Sequence, residues 1–145
     1  MQKFPHHYHA LAQGQPSGSV TTHSGELTAL DIAAPKEFDG PGDKWSPEEL
    51  LVASVADCLI LTFRAIATAS KLEWSDLSCE VKGTLEMVDR KTQFTEIHIN
   101  ASLTINSQED EGKAVQVLEK AENNCLITNS LTAKTYLNSN IIIAS

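Results

Sequence analysis

Residues 46–70 read SPEELLVASVADCLILTFRAIATAS. Ser46 stands where an N-cap belongs, Pro47 fills the first helical position, and Glu49 completes an S-x-x-E capping box. No Gly or Pro follows before Ser70, so the spacing predicts one helix of about 24 residues, a rod of about 36 Å. Its apolar residues run nearly all round, an arrangement a helix tolerates only when protein covers most of its circumference. Asp57, Arg64, Ser54, Thr62 and Thr68 interrupt the run, which therefore reads as a buried helix of a soluble protein rather than a membrane span. A chain of 145 residues has too little protein of its own to wrap such a rod, and a second copy is expected to supply the rest.

Toward the N-terminus, PKEFDGPGDKW (35–45) concentrates Pro, Gly and Asp and reads as a loop. Before it, Tyr8 to Gln13, Gly18 to Thr22 and Leu27 to Ala33 form short extended segments separated by turn residues, the pattern of an antiparallel meander. Toward the C-terminus, a turn around Trp74 to Asp76 leads into Leu77 to Val88, where Leu77, Cys79, Val81, Leu85 and Met87 define one face. Ile97, Ile99, Ala101, Leu103 and Ile105 repeat the two-residue period after Asp89 to Thr92, so a hairpin is predicted. Ala114, Val117, Leu118, Ala121 and Cys125 recur at helical spacing behind an acidic first turn, and Asn140 to Ala144 reads as a last strand. The chain has the modal length of one domain spanning residues 1–145, α+β in class, with no internal repeat.

Composition removes several function classes. Eleven basic residues against nineteen acidic leave a formal charge of −8, and only Arg64 and Arg90 are arginines, which argues against phosphate-backbone binding to nucleic acid. Met1 to Ala12 holds a lysine and a histidine cluster but no apolar signal core, so a cytoplasmic location is expected. Three cysteines, Cys58, Cys79 and Cys125, without C-x-x-C spacing fit neither a disulfide scaffold nor a four-ligand zinc site.

Cys58 lies mid-way along the long helix and Cys125 on the apolar face of the second. Each suits a small buried hydrophobe or a reactive thiol equally well on composition. Cys79 sits on a strand face with Leu77 and Val81 and reads as core. His6, His7 and His9 lack an acidic or cysteine partner for a metal. Asp57, beside Cys58, would disfavour a thiolate and is expected to pair with Arg64, seven residues on. Glu48 precedes Cys58 by ten residues, about 15 Å along the axis. It can serve the helix dipole where it stands, or reach a Cys58 site only from an antiparallel helix of a second copy.

SPEELLVASVADC (46–58), followed at a distance by NNCLITNSL (123–131), resembles the paired signature of the OsmC/Ohr family: a Pro-Glu dipeptide ten residues before a cysteine in a long helix, then a second cysteine heading a short polar-apolar run. The order of elements agrees over nearly the whole chain. The resemblance implies an intertwined α+β homodimer, with antiparallel sheets wrapped around long central helices and cysteine sites at the interface. It further implies reduction of small or lipophilic organic hydroperoxides without metal, haem or flavin. Cys58 would be the peroxidatic thiol, oxidised to a sulfenic acid, Cys125 the resolving thiol, an external thiol or dithiol the reductant, and Glu48 the residue that orients a cation beside the thiolate.

The family's peroxidases carry an arginine on the N-terminal strand or loop where this chain has Ser19, and no arginine precedes Arg64. Lys44, His23 and Arg64 are the candidate substitutes; Arg64, on another helix face, ranks last, and spacing does not choose between the other two. A cysteine left deep in an apolar helix without a cation has its pKa raised. The alternative expectation is accordingly a catalytically silent family member that binds a small apolar ligand at the dimer interface.

Overall fold

A computed structural model describes all residues, Met1–Ser145. They cluster into two compact units, Met1–Leu51 and Val52–Ser145.

In the N-terminal unit, β1 (Leu11–Gln13), β2 (Val20–His23) and β3 (Leu30–Ile32) form the expected meander, antiparallel in the order β1-β2-β3. All three strands are shorter than the sequence segments: β1 begins only at Leu11, β2 begins past the Pro16–Gly18 turn residues and runs on to His23, and three residues lie between the turn at Gly25 and Glu26 and the start of β3. The chain then makes a 3-10 turn at Lys36–Phe38, closed by Asp39 in the left-handed region at φ 64. Gly40 returns against the start of this turn so closely that a β-carbon there would lie within 2.9 Å of three backbone atoms of Ala34 and Pro35. Only glycine fits that approach.

Helix α1 covers Pro47–Ala69, and its start is built as the sequence predicts. Ser46, fully buried, donates from Oγ to Glu49 Oε1 at 2.8 Å and accepts the Glu49 N–H at 3.1 Å. Both halves of the capping box are therefore closed, and Ser46→Ala should cost about 1–2 kcal/mol. The check is urea denaturation, where the midpoint should fall with an unchanged slope.

In the C-terminal unit, α1 buries Val55, Leu59, Phe63 and Ala67, one stripe at intervals of four. The helix otherwise stays largely uncovered: Leu61 is 59% exposed, and only 22% of its most apolar window is buried, although by length and composition that window would suffice to cross a membrane. Past Ala69 the chain turns at Lys71, φ 57, while the Leu72 N–H reaches back to the Ala67 carbonyl. The turn thus falls at 70–73 rather than around Trp74, whose ring is recruited into β4 by packing edge-on against Phe63.

Strands β4 (Trp74–Val88) and β5 (Lys91–Ile105) pair antiparallel along their whole length. Asp89 and Arg90 make the connection with positive φ values of 48 and 68, the left-handed pair of a two-residue hairpin turn. On β5 the alternation holds throughout, with Ile97, Ile99, Ala101, Leu103 and Ile105 all buried. On β4 the last three residues are all exposed, beyond a register shift at Thr84/Leu85 where Thr95 of β5 is the unpaired extra residue. Met87, expected inside, is 73% exposed, as are its neighbours Glu86 and Val88 at the end of the strand next to the hairpin turn.

Helix α2 (Glu111–Asn123) presents Ala114, Val117, Leu118 and Ala121 to the core as predicted. Cys125 lies beyond it, heading the four-residue helix α3 (Leu126–Asn129). Strand β6 is Lys134–Ile143, longer at its start than the expected 140–144, and it runs parallel to β5. The intervening helices make that possible, since parallel neighbours need a crossover. Asn138 Nδ2 donates to Asn100 Oδ1 at 3.2 Å across the pair, which accommodates an asparagine-rich stretch that by propensity avoids strands. The second sheet is thus mixed, in the order β4-β5-β6, and the architecture is α+β.

Candidate functional site

Cys58 follows from its place on α1. It sits one position before the buried Leu59, at the shoulder of the stripe, and is half-buried. Cys125 is fixed by the break between α2 and α3. Its backbone is extended, at φ −70 and ψ 107; its N–H donates to the Glu122 carbonyl, and its carbonyl accepts from the Asn129 N–H at 3.0 Å and from Thr128 Oγ1 at 3.2 Å. Its side chain is buried.

The fold brings these two thiols, 67 residues apart in sequence, near enough for Cys125 to lower the pKa of Cys58. Neither is in a disulfide. Burial pushes the Cys58 thiol up, but the backbone amide of Ile127, the Cys125 thiol, the Thr62 hydroxyl 3.8 Å away and the backbone amide of Leu126 pull it down by favouring the thiolate, and together they outweigh burial. The net result lies below the ordinary thiol value. The two amides open α3, where unpaired N–H groups point outward and stabilise negative charge. Cys79 is the contrast, since burial alone pushes its thiol up to about 11. The expected core role suits it.

These settings make a measurable distinction. Thiolate is the alkylated form, so a lowered pKa lets the rate climb at lower pH and level off above it. Iodoacetamide labelling of Cys58, followed by peptide mass spectrometry, should inflect below the ordinary thiol range, while Cys79 labels only in strong alkali. Thr62→Val, which removes one donor, should move the Cys58 inflection upward.

The amides of Leu126 and Ile127 escaped the sequence reading, because a backbone donor leaves no mark in residue type and a four-residue helix is too short for periodicity. Thr62 could have been found, as it stands at the i+4 position from Cys58.

Glu48 lies in the N-terminal unit and lines a cavity of about 770 Å³. Val20, Ile32, Ala34, Pro35, Phe38 and Pro47 supply most of its apolar wall, and no lysine, arginine or histidine borders it. Glu48 Oε1 is buried there without a hydrogen-bond partner. The candidate cations lie elsewhere. Ser19 and His23 border a second cavity along with Thr21, while the alternate β2 residues Val20 and Thr22 face Glu48, as strand alternation requires. Lys44 borders a third hollow, next to Glu49. Arg64 is exposed on α1. Asp57 is exposed as well rather than buried, and the expected Asp57–Arg64 pair does not form. Seven residues separate the two by about 10.5 Å along the axis, too far for one stripe to join them. At the N-terminus His6 Nε2 bonds the Gln2 carbonyl and stacks on Phe4, and no group of three metal-ligating side chains forms anywhere.

Comparison with known proteins places this arrangement. The uncharacterized protein YmaD of Bacillus subtilis is 31% identical over 137 residues, 91% of either chain. An OsmC-like protein of unknown function from Vibrio cholerae superposes with a TM-score of 0.84 at 18% identity, over 95% of this chain and 100% of the other. An organic hydroperoxide resistance protein OsmC from Legionella pneumophila gives 0.73 at 26% identity, over 97% and 100%. The family model for OsmC-like proteins matches residues 40–140, a span that takes in Glu48, Cys58 and Cys125, and the chain belongs to the OsmC/Ohr family.

Proposed function

We propose that this protein is a thiol-dependent peroxidase of small or lipophilic organic hydroperoxides, acting as a cytoplasmic homodimer. One observation carries the reading: Cys58 faces a second thiol and receives several donors that lower its pKa in an otherwise apolar setting. Backbone amides at the head of α3 would supply the thiolate stabilisation for which the family's peroxidases use an arginine. Organic hydroperoxide resistance in the name of the Legionella protein agrees with this chemistry.

In the proposed cycle the Cys58 thiolate attacks the outer peroxide oxygen. The O–O bond breaks, an S–O bond forms, and the alkoxide leaves and takes up a proton as the alcohol. The Cys125 sulfur then attacks the sulfenic acid, releasing water and forming a Cys58–Cys125 disulfide, which an external thiol or dithiol reduces. No metal or organic cofactor enters the scheme. Glu48 participates from the second copy, since its own Cys58 lies about 15 Å along the helix. The uncovered length of α1 is the surface that copy would cover.

The test mixes reduced protein with cumene hydroperoxide. The peroxide should be consumed, and the protein should lose two thiols and gain the Cys58–Cys125 cross-link by peptide mapping. Both thiols remaining titratable would overturn the reading. The cavity around Glu48, which lacks any cation, favours a second reading, a silent family member that binds a small ligand. In that case ligands stabilise Cys58→Ser as well as the parent, and peroxide is untouched.

A further inference from the structure

All three cysteines are free, and two of them stand together. Cys125 is 1% exposed and Cys58 is half-buried. Thr62 Oγ1 lies 3.8 Å from Cys58 Sγ, and Cys125 is near enough to act on the Cys58 thiol. Leu59 and Ile127, close to them along the chain, belong to the hydrophobic core or pack against it. No three side chains of His, Cys, Asp or Glu converge here or elsewhere in the chain. Zinc, which takes about four ligands, and calcium or magnesium, which take about six oxygens, therefore find no site. Thiolate sulfur, by contrast, selects Cu(I) among the metals of a cell, and two sulfurs satisfy that ion.

We propose that Cys58 and Cys125 together bind one Cu(I) ion as a near-linear S–Cu–S unit. Each sulfur gives up its proton to solvent and forms one bond to the metal, and no electron is transferred. The unit keeps a single negative charge, which the backbone amides of Leu126 and Ile127 favour as they favour the Cys58 thiolate. The spacing suits the ion as well. Two metal–thiolate bonds of about 2.3 Å set the sulfurs about 4.6 Å apart, against about 2.05 Å in a disulfide, and a pair of neighbouring, unbonded thiols stands nearer the former. The ion occupies both sulfurs of the proposed peroxidase cycle, so the inference shares that site, but it requires no turnover and is read without peroxide.

The test is an anaerobic competition on the reduced, full-length protein. Cu(I) is offered as its coloured bicinchoninate complex, and the parent should bleach about one equivalent per chain, the stoichiometry of one ion on one thiolate pair. Cys58→Ser and Cys125→Ser, each left with a single thiolate at the site, should hold the ion at least about a hundredfold more weakly. Cys79→Ser, which alters a thiol on β4 shifted by burial alone, should bind as the parent does. Added Zn(II) should not displace the bound ion. Colour that survives the parent, bleaching undiminished in either Cys58→Ser or Cys125→Ser, or displacement by Zn(II) would overturn the proposal. Should a serine variant fail to fold, the parent alone decides: Cu(I) should protect Cys58 from iodoacetamide, and an unchanged labelling rate refutes the site. Peroxide consumption is measured separately without metal. A protein that binds Cu(I) and ignores peroxide refutes the proposed function alone, and one that turns over peroxide without taking Cu(I) refutes this inference alone.

Discussion

Cys58→Ser should reduce thiol-dependent consumption of cumene hydroperoxide to the uncatalysed background, a loss of about three orders of magnitude or more, as removal of a covalent nucleophile commonly produces. The size follows from what serine lacks. Its hydroxyl remains protonated at neutral pH, and the groups that favour a sulfur anion cannot make it a nucleophile toward an O–O bond. Cys125→Ser should behave differently. The first attack still proceeds, because Cys58 keeps the amides of Leu126 and Ile127, but the sulfenic acid has no neighbouring thiol. One equivalent of peroxide is consumed quickly, a dimedone adduct forms at Cys58, and further peroxide drives the sulfur to the sulfinic acid. A coupled peroxidase assay with a dithiol reductant, and intact mass after one equivalent, separate the two variants. A Cys58→Ser protein that retained full turnover would place the chemistry at another residue.

The contrast between these variants depends on geometry that was only partly legible beforehand. Helix α1 was readable because its signals are local: the N-cap, Pro47, the capping box and an unbroken run to Ser70. Strand β5 was readable because one face is fully buried, so the two-residue period survives intact. Where distant pairing overrode local pattern, the sequence said less. The register shift at Thr84/Leu85, which leaves Thr95 unpaired, and the exposure of Met87 at the hairpin end have no signature in a stretch whose alternation looks continuous. Residues 134–139 mix strand formers, Thr135 and Tyr136, with Asn138 and Ser139, too short a pattern to read alone, and became a strand because β5 lay ready to pair with them. Cys58 and Cys125 could be singled out as residues, yet α3, which gives the pair its electrostatics, is four residues long and hidden behind α2. Glu48 was visible as a carboxylate ten residues from a cysteine. Its orphaned oxygen and cation-free cavity depend on the way β2 sorts Val20 and Thr22 from Ser19 and His23, which only the fold decides.

The same helix carries the largest expected loss of stability. Phe63 is fully buried and meets the ring of Trp74 edge-to-face, with centroids 5.1 Å apart at 85°. Phe63→Ala should destabilise the protein by about 3–5 kcal/mol, a figure that combines the lost transfer of the ring with the cavity left behind. Within it the aromatic contact accounts for about 0.5–1.5 kcal/mol. Against a total of about 5–15 kcal/mol for an ordinary domain that is a severe loss, to be read as a fall in the urea midpoint at constant slope. Phe63→Leu keeps most of the volume and should lose much less. Leu61, two residues away, supplies the opposing case. At 59% exposure in the single chain, its truncation to alanine removes little that one copy buries and should barely alter a monomer. If two copies cover the bare side of α1, Leu61→Ala should instead lower the melting temperature most at low protein concentration, since association stabilises by mass action. Sedimentation of both variants then separates a defect of the core from a defect of the interface. Phe63→Ala weakens folding at every concentration, and Leu61→Ala weakens it through dissociation.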